Sequence, residues 1–166
     1  MAEIPLTQGM VAIVDTEDFD YLNRWKWCAF RGGRELYYAA QNGNQGGKSH
    51  GMIFMHRLIL GVPSRKIDHR DRNGLNNRRS NLRVCTHQQN LFNQTQRVNT
   101  SSIYKGVSWR KDRQEWIAYI RINGKRKHLG YSINEEQAAL AYNEAATLYF
   151  GEFARLNIVQ EGSYAR

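Results

Sequence analysis

In the stretch EWIAYIRI, Glu115 to Ile122, Trp116, Ala118, Ile120 and Ile122 fall on one side of an extended chain, and Tyr119 and Arg121 fall on the other. Asn123 and Gly124 follow at once and form a strong type I′ hairpin signal. The strand after that turn, within GKRKHLGY, alternates Leu129 and Tyr131 with Arg126 and His128, and a strand before it, in YKGVSWR, is reached through the turn residues DRQE. Three antiparallel strands are therefore expected, with one apolar face and one basic face. The cover for the apolar face comes next in NEEQAALAYNEAATLYFG. Asn134 is its N-cap, Gln137 sits in capping-box position, Gly151 lies beyond its end, and Ala138, Ala141, Ala145 and Leu148 form a stripe. The basic face stays open, on a strand ribbon narrow enough for a major groove.

The charge of the whole chain agrees with that reading. Lys and Arg number 24 against 15 Asp and Glu, a formal charge of +9, which draws a protein towards polyanions through counterion release from phosphates. The first 50 residues are nearly neutral, with Arg24, Lys26, Arg31, Arg34 and Lys48 set against six acidic side chains. The positive charge lies in two blocks, Arg65 to Arg97 and Tyr104 to Tyr131, separated by the polar, aperiodic NQTQRVNTSS, which reads as a linker. An anionic membrane is the competing polyanion, but the sequence has no run of about 18 apolar residues and no basic amphipathic helix. The first ten residues lack the pattern of a signal peptide, and Cys28 and Cys85 form no CxxC pair. A soluble protein in a reducing, cytoplasmic compartment is expected.

Before the first basic block, MVAIVD reads as a strand and TEDFDYLNR as a helix start. WKWCAF and ELYYAA around the glycines of RGG read as a hairpin, with Trp25, Trp27, Phe30 and Tyr38 contributing core. NGNQGGKSHG, Asn42 to Gly51, reads as a loop. FMHRLILGV is a short helix stopped by Pro63.

The stretch IDHRDRNGLNNRRSNLRVCTHQQN, Ile67 to Asn90, concentrates two histidines, five asparagines, two aspartates and five arginines. IDHRD and SNLRVC read as two strands around an Asn-Gly turn signal, and THQQNLFNQ as a helix capped by Thr86. Such a unit brings Asp68 and His69 near the helix. Neighbouring strand residues face opposite ways, so the two must meet different partners or sit on a distorted strand. Phosphodiester hydrolysis needs a hard cation with oxygen ligands and a base for water; Asp and Asn suit the first, His the second. On composition alone, a solvated polar hairpin without metal is the favoured reading of Asp68 and His69.

The ordered pattern of Asp-His, then Asn before Leu, then Asn on the following helix resembles the His-Asn-His (HNH) nucleases with a ββα-metal fold, over about residues 52 to 95 and in particular the phage and intron-borne homing type. The resemblance implies His69 as the general base, Asp68 and Asn90 as ligands of Mg2+, Mn2+ or another divalent cation, and Asn81 as the residue that holds the hairpin through backbone hydrogen bonds. Asp71 and Asn73 are expected in turn stabilisation, and Arg70, Arg72, Arg78, Arg79 and Arg83 at phosphates. His56 reads as a packing or hydrogen-bonding residue, with a chemical role the lesser alternative, and His87, one turn before Asn90, as a ligand, a phosphate contact or a solvent-exposed residue.

The pieces YKGV, W.A.IR, LGY, EEQAALAYNEAA and the closing LN resemble the Apetala-type, or ethylene-response-factor, DNA-binding domain across roughly residues 103 to 157. That resemblance implies DNA contacts from Lys105, Arg110, Tyr119, Arg121, Arg126 and His128. Ser108 stands where an arginine is usual, the first turn is one residue longer, and Tyr119 and His128 replace the usual Glu and Trp. The plant family's target sequence is therefore not carried over.

Together the readings give an α+β protein with a nuclease domain over residues 1–95, a linker over 96–102, a DNA-binding domain over 103–158 and a tail over 159–166. The expected activity is metal-dependent cleavage of double-stranded DNA by a homing-type endonuclease, as monomer or homodimer. A DNA-binding regulator with an inactive nuclease module is the main alternative. An RNA-binding factor would require stacking aromatics on the open sheet, where only Tyr119 and Trp109 qualify.

Overall fold

The computed structural model describes residues 1–33, 35–45, 48–62, 64–96 and 100–159. The chain forms two compact units, Met1–Asn90 and Leu91–Arg166, and it is an α+β protein. Of the segments expected as linker and tail, residues 97–99 and 160–166 lie outside the described residues, as does Pro63.

In the first unit β1 (Ala2–Pro5) and β2 (Val11–Val14) pair antiparallel, which buries Ile4, Ala12 and Val14. Next comes α1 (Thr16–Leu22), which begins after Asp15 and carries Glu17 and Asp18 in its first turn, where the helix dipole favours acidic groups. The strands β3 (Cys28–Arg31), β4 (Tyr37–Gln45) and β5 (Lys48–Phe54) form an antiparallel sheet with β4 in the centre. Strand pairing thus takes most of the stretch expected as a loop after Asn42, with residues 46 and 47 outside the described set. Trp27 is buried and its indole donates to the Leu22 carbonyl at 2.9 Å. Phe30, expected in the core, is 38% exposed, because it lies on the outer side of β3, opposite the inward-facing Ala29.

Helix α2 (Met55–Leu60) ends at Gly61, whose left-handed φ of 64° lets its N–H reach back to the last turn. The helix stops two residues short of the proline for that reason. The strands β6 (Lys66–His69) and β7 (Leu82–Cys85) pair antiparallel and lead into α3 (His87–Phe92). Thr86 caps α3 as expected: its hydroxyl accepts from the Gln89 N–H at 3.1 Å and the Gln89 side chain accepts from the Thr86 N–H at 2.8 Å, a complete capping box.

The second unit contains β8 (Val107–Arg110), β9 (Glu115–Ile122) and β10 (Lys125–Ser132), with β9 central, and α4 (Glu135–Phe150) on one face. Asn123 and Gly124 both have positive φ (49° and 78°), as a type I′ turn requires. Asn134 caps α4 through the Gln137 N–H at 3.0 Å. The buried stripe is Ala138, Ala139, Tyr142, Ala145, Ala146 and Phe150, not the expected row ending in Leu148, which is 77% exposed. The helix is rotated to bury its large aromatics: a Cβ at Gly106 would lie 2.0 Å from the Tyr142 ring, and Phe150 stacks on Phe92 with centroids 3.6 Å apart. Gly106, the glycine of YKGV, is thus fixed by packing and by its φ of 78°. Asn157, of the closing LN, clamps the start of the sheet: its side chain accepts from the Lys105 N–H at 2.7 Å and donates to the Lys105 carbonyl at 3.0 Å.

A β-bulge between His128 and Gly130 changes the side-chain parity of β10. Tyr131 therefore pairs with Ile117 and joins the open face, contrary to the simple alternation. No described helix is long and apolar enough to cross a membrane.

Candidate active site

Asp68 and His69 end β6 side by side, and both are buried, at 6% and 5% exposure. As adjacent strand residues they meet different partners. Asp68 lies directly across from Arg83 of β7, and Oδ2 accepts from Arg83 Nε at 2.8 Å and from a terminal guanidinium nitrogen at 2.6 Å. His69 turns instead towards the loop joining the strands. There Nε2 lies 3.5 Å from Oδ1 of Asn77, a residue with no exposed surface.

That loop, residues 70–81, is held from several sides. The Asn-Gly signal within it does not make a tight hairpin: the left-handed φ belongs to Arg72 (65°), and Gly74 is needed for space, since a Cβ there would lie 2.3 Å from the Tyr37 carbonyl and 2.6 Å from the Tyr38 ring. Asn81 accepts from the Asp71 N–H at 3.0 Å and donates to the Asn76 carbonyl at 2.7 Å and to Asp71 Oδ1 at 2.9 Å. The Asp71 carboxylate also accepts from the Asn73 N–H at 2.8 Å and from Asn76 Nδ2 at 2.6 Å. Burial raises the Asp71 pKa, but these hydrogen bonds and the nearby His69 outweigh it and hold the carboxyl below its ordinary value. The edge of β2 closes the other side: Ile13 N–H donates to the Leu75 carbonyl at 2.8 Å and Asn77 N–H donates to the Ile13 carbonyl at 2.7 Å.

Around His69 the walls are aromatic. The ring of His56 meets it edge-on at 5.1 Å, Tyr38 lies 5.8 Å away, and Phe54 stacks on His56. Burial lowers the His69 pKa, against the opposing pull of Asn77, Asp71 and Asp68, which favours the neutral imidazole. His56 is lowered further, to about 3, by burial and then by His69 and Arg57. His56 is therefore a neutral packing group, and His87 is exposed at the start of α3.

The remaining expected site residues fall into distinct settings. Asn90 is half-buried on α3, where its N–H donates to the Thr86 carbonyl at 3.1 Å. Arg70 is exposed, and Arg72 and Arg78 are half-buried, with Arg78 Nε bonded to Asn76 Oδ1 at 3.0 Å. Arg79, expected at a phosphate, grips Asp18 through two bonds of 2.9 and 2.6 Å and lies 3.4 Å from Glu17. Arg83, expected at a phosphate, is buried on Asp68. In both cases a carboxylate supplies the anion: Asp18 for Arg79, which stays exposed, and Asp68 for the buried Arg83.

In the second unit Tyr119, Arg121, Arg126 and His128 share the open face, as expected. The Arg126 guanidinium lies 3.7 Å over the Tyr119 ring, and His128 packs on Tyr131 at 4.3 Å. Arg110 is on the same face but is paired with Asp112 and donates to the Tyr131 hydroxyl at 3.2 Å. Lys105, expected at DNA, directs its ammonium to the carbonyls of Phe92 (2.6 Å) and Gln94 (2.7 Å) at the end of α3. Sequence reasoning missed Asn77, whose only signal was its place in the asparagine-rich loop, and Tyr131, whose face depends on the bulge.

Asp68 carries a carboxylate, one oxygen of which Arg83 holds, and Asn90 a carboxamide; both are oxygen donors of the kind a hard divalent cation takes. Residues 55–91 match a family described as HNH endonuclease. An uncharacterized HNH endonuclease of Acanthamoeba polyphaga mimivirus is 35% identical over 153 residues, covering 90% of this chain and 76% of the relative. Protein 3.8 of Escherichia phage T7 is 37% identical over 90 residues, covering 54% of this chain and 73% of the relative. The chain belongs to the HNH endonuclease family, and it is a nuclease.

Proposed function

We propose that the protein is a metal-dependent endonuclease of double-stranded DNA in which His69 is the general base, and that the open face of β8, β9 and β10 binds the duplex. The observation that carries this reading is the buried His69 beside Asp68 at the end of a strand whose loop is fixed by Asn81 and Asn77. A neutral imidazole in a fixed position takes a proton from water at neutral pH. Asp68 and Asn90 would hold the divalent cation, which when bound supplies positive charge against that developing on the phosphate and leaving oxygen. Arg70, Arg72 and Arg78, on the loop beside the site, would approach phosphates, while Arg79 and Arg83 face carboxylates.

On the second unit the cationic and aromatic groups of one face, Arg121, Arg126, Tyr119, His128 and Tyr131, support a phosphate-contacting ribbon. Binding there would raise the local concentration of duplex at the nuclease. The resemblance to phage and intron-borne enzymes supports a homing endonuclease. The reading of an inactive module rests on the Arg83–Asp68 pair, which occupies one oxygen of the proposed ligand.

Incubation of supercoiled plasmid with Mg2+ or Mn2+ separates the two readings. The wild type nicks or linearises the plasmid only with the cation, and His69→Ala binds DNA but leaves it intact. Intact plasmid with wild-type protein in both metals would overturn the nuclease proposal in favour of a binding protein.

A further inference from the structure

The side chain of Asn77 has no exposed surface, yet it carries two polar atoms into the interior beside His69. Such a group is retained only where its hydrogen bonds are satisfied, and both ends of this carboxamide have partners. Nδ2 donates to the Leu75 carbonyl at 3.1 Å and lies 3.5 Å from the Gly74 carbonyl. With the nitrogen committed to carbonyls, the amide cannot flip, and Oδ1 faces Nε2 of His69 at 3.5 Å.

An amide oxygen only accepts, so the ring nitrogen that faces it must be the one bearing hydrogen. A neutral imidazole has a single N–H, and the lone pair is therefore on Nδ1. The backbone holding Asn77 is equally constrained. Its N–H donates to the Ile13 carbonyl at 2.7 Å, Ile13 returns a bond to Leu75, and Gly74 fits against Tyr37 and Tyr38 where a Cβ would collide. We propose that Asn77 is a positioning residue that fixes His69 as the Nε2–H tautomer, so that Nδ1 is the atom that removes the proton from water.

The proposal rests on His69 being the base, and it gives Ile13 of β2 a part in catalysis. Strand β2 carries no reacting group, but it holds the loop that sets the protonated edge of the imidazole. Partners of this kind, one step removed from the reacting atoms, commonly change rates by about 10- to 100-fold when removed.

The test uses full-length protein with 15N-labelled histidine at one pH near 7.5, without added metal, with the His69 signals assigned by comparison with His69→Gln. In the wild type, Nε2 of His69 is expected at the shift of a protonated ring nitrogen and Nδ1 at that of a bare one. In Asn77→Leu, which keeps approximate volume and removes the acceptor, the two shifts move towards each other, and plasmid cleavage loses about 10- to 100-fold in kcat with KM changed less than about twofold. In Asn77→Ser a hydroxyl can still accept, and part of both effects returns. A wild-type spectrum with the proton on Nδ1 overturns the proposal without any variant, so a variant that fails to fold does not protect it. Unchanged shifts and kcat in a folded Asn77→Leu also overturn it. Failure of the wild type to cut plasmid would remove the nuclease reading, while the wild-type spectrum would still decide the His69–Asn77 relationship.

Discussion

Arg83 and Asp68 face each other across the β6–β7 pair, both more than nine-tenths buried, with the guanidinium donating twice to one carboxylate oxygen. Desolvating two charges is costly and their mutual attraction roughly offsets it, so the pair adds little net stability, but removing one member strands the other. Arg83→Met should therefore destabilise the protein by about 3–5 kcal/mol, and Asp68→Asn added to it should recover much of that loss. Urea denaturation of the two single variants and the double variant measures the coupling. Additive effects would mean that the two charges do not depend on each other.

In the second unit, Gly106 should be equally intolerant for a different reason. Its φ of 78° and the closeness of the Tyr142 ring and the Tyr119 carbonyl exclude a side chain. Gly106→Ala is expected to lose at least about 2 kcal/mol, because strain and a collision with backbone act together. Gly124→Ala, whose added Cβ meets open space, bears the strain of φ alone and should lose less. Thermal unfolding of both variants ranks them.

These two sites also mark where sequence was sufficient and where it was not. The sheet and helix of the second unit were legible because every signal is local: two-residue alternation, an Asn-Gly turn and a capped helix within about fifty residues. The order Asp68, His69, Asn81, Asn90 was legible because each position is distinguished by its neighbours. What remained hidden depends on contacts distant in sequence. Arg79 reaches Asp18, 61 positions away, and nothing in RNGLNNRR says that this arginine pairs with α1. Likewise, five chemically identical asparagines crowd one stretch, and only the fold around Gly74 and Ile13 decides that Asn77 faces the imidazole. One inserted residue at the bulge was enough to move Tyr131 to the other face.

His56 offers a pH test. Its pKa falls from 6.5 in the unfolded chain to about 3 in the fold, so between those values the unfolded chain binds the extra proton. Stability is then unaffected above about pH 7 and declines as the pH falls from about 6.5 towards 3. At pH 5 the contribution amounts to about 2 kcal/mol, from 1.36 kcal/mol for each unit below 6.5. His56→Phe, which stays within the aromatic cluster, should be flatter with pH by one proton over this range. Denaturation midpoints at pH 7.5, 6 and 5 show it, and parallel curves for the two proteins would mean that His56 is protonated without penalty.

The open sheet face makes a prediction about salt. Arg121 and Arg126 are neighbours across β9 and β10, and Arg126 is held flat on Tyr119 at 3.7 Å, so its guanidinium is presented with little rotamer freedom left to lose on binding. On the proposed duplex-binding face, Arg126→Ala should remove a phosphate contact and reduce the slope of log K against log salt by about 0.9. Tyr119→Ala leaves the charge but releases the side chain. It should weaken binding by about 0.5–1 kcal/mol, the typical strength of an exposed cation–π pair, with the salt slope unchanged. Arg110→Ala should matter less than either, since Asp112 already neutralises that guanidinium. Fluorescence anisotropy of a labelled duplex, titrated at several salt concentrations with His69→Ala to prevent cleavage, resolves the three variants. A salt slope indifferent to Arg126→Ala would place the duplex away from this face.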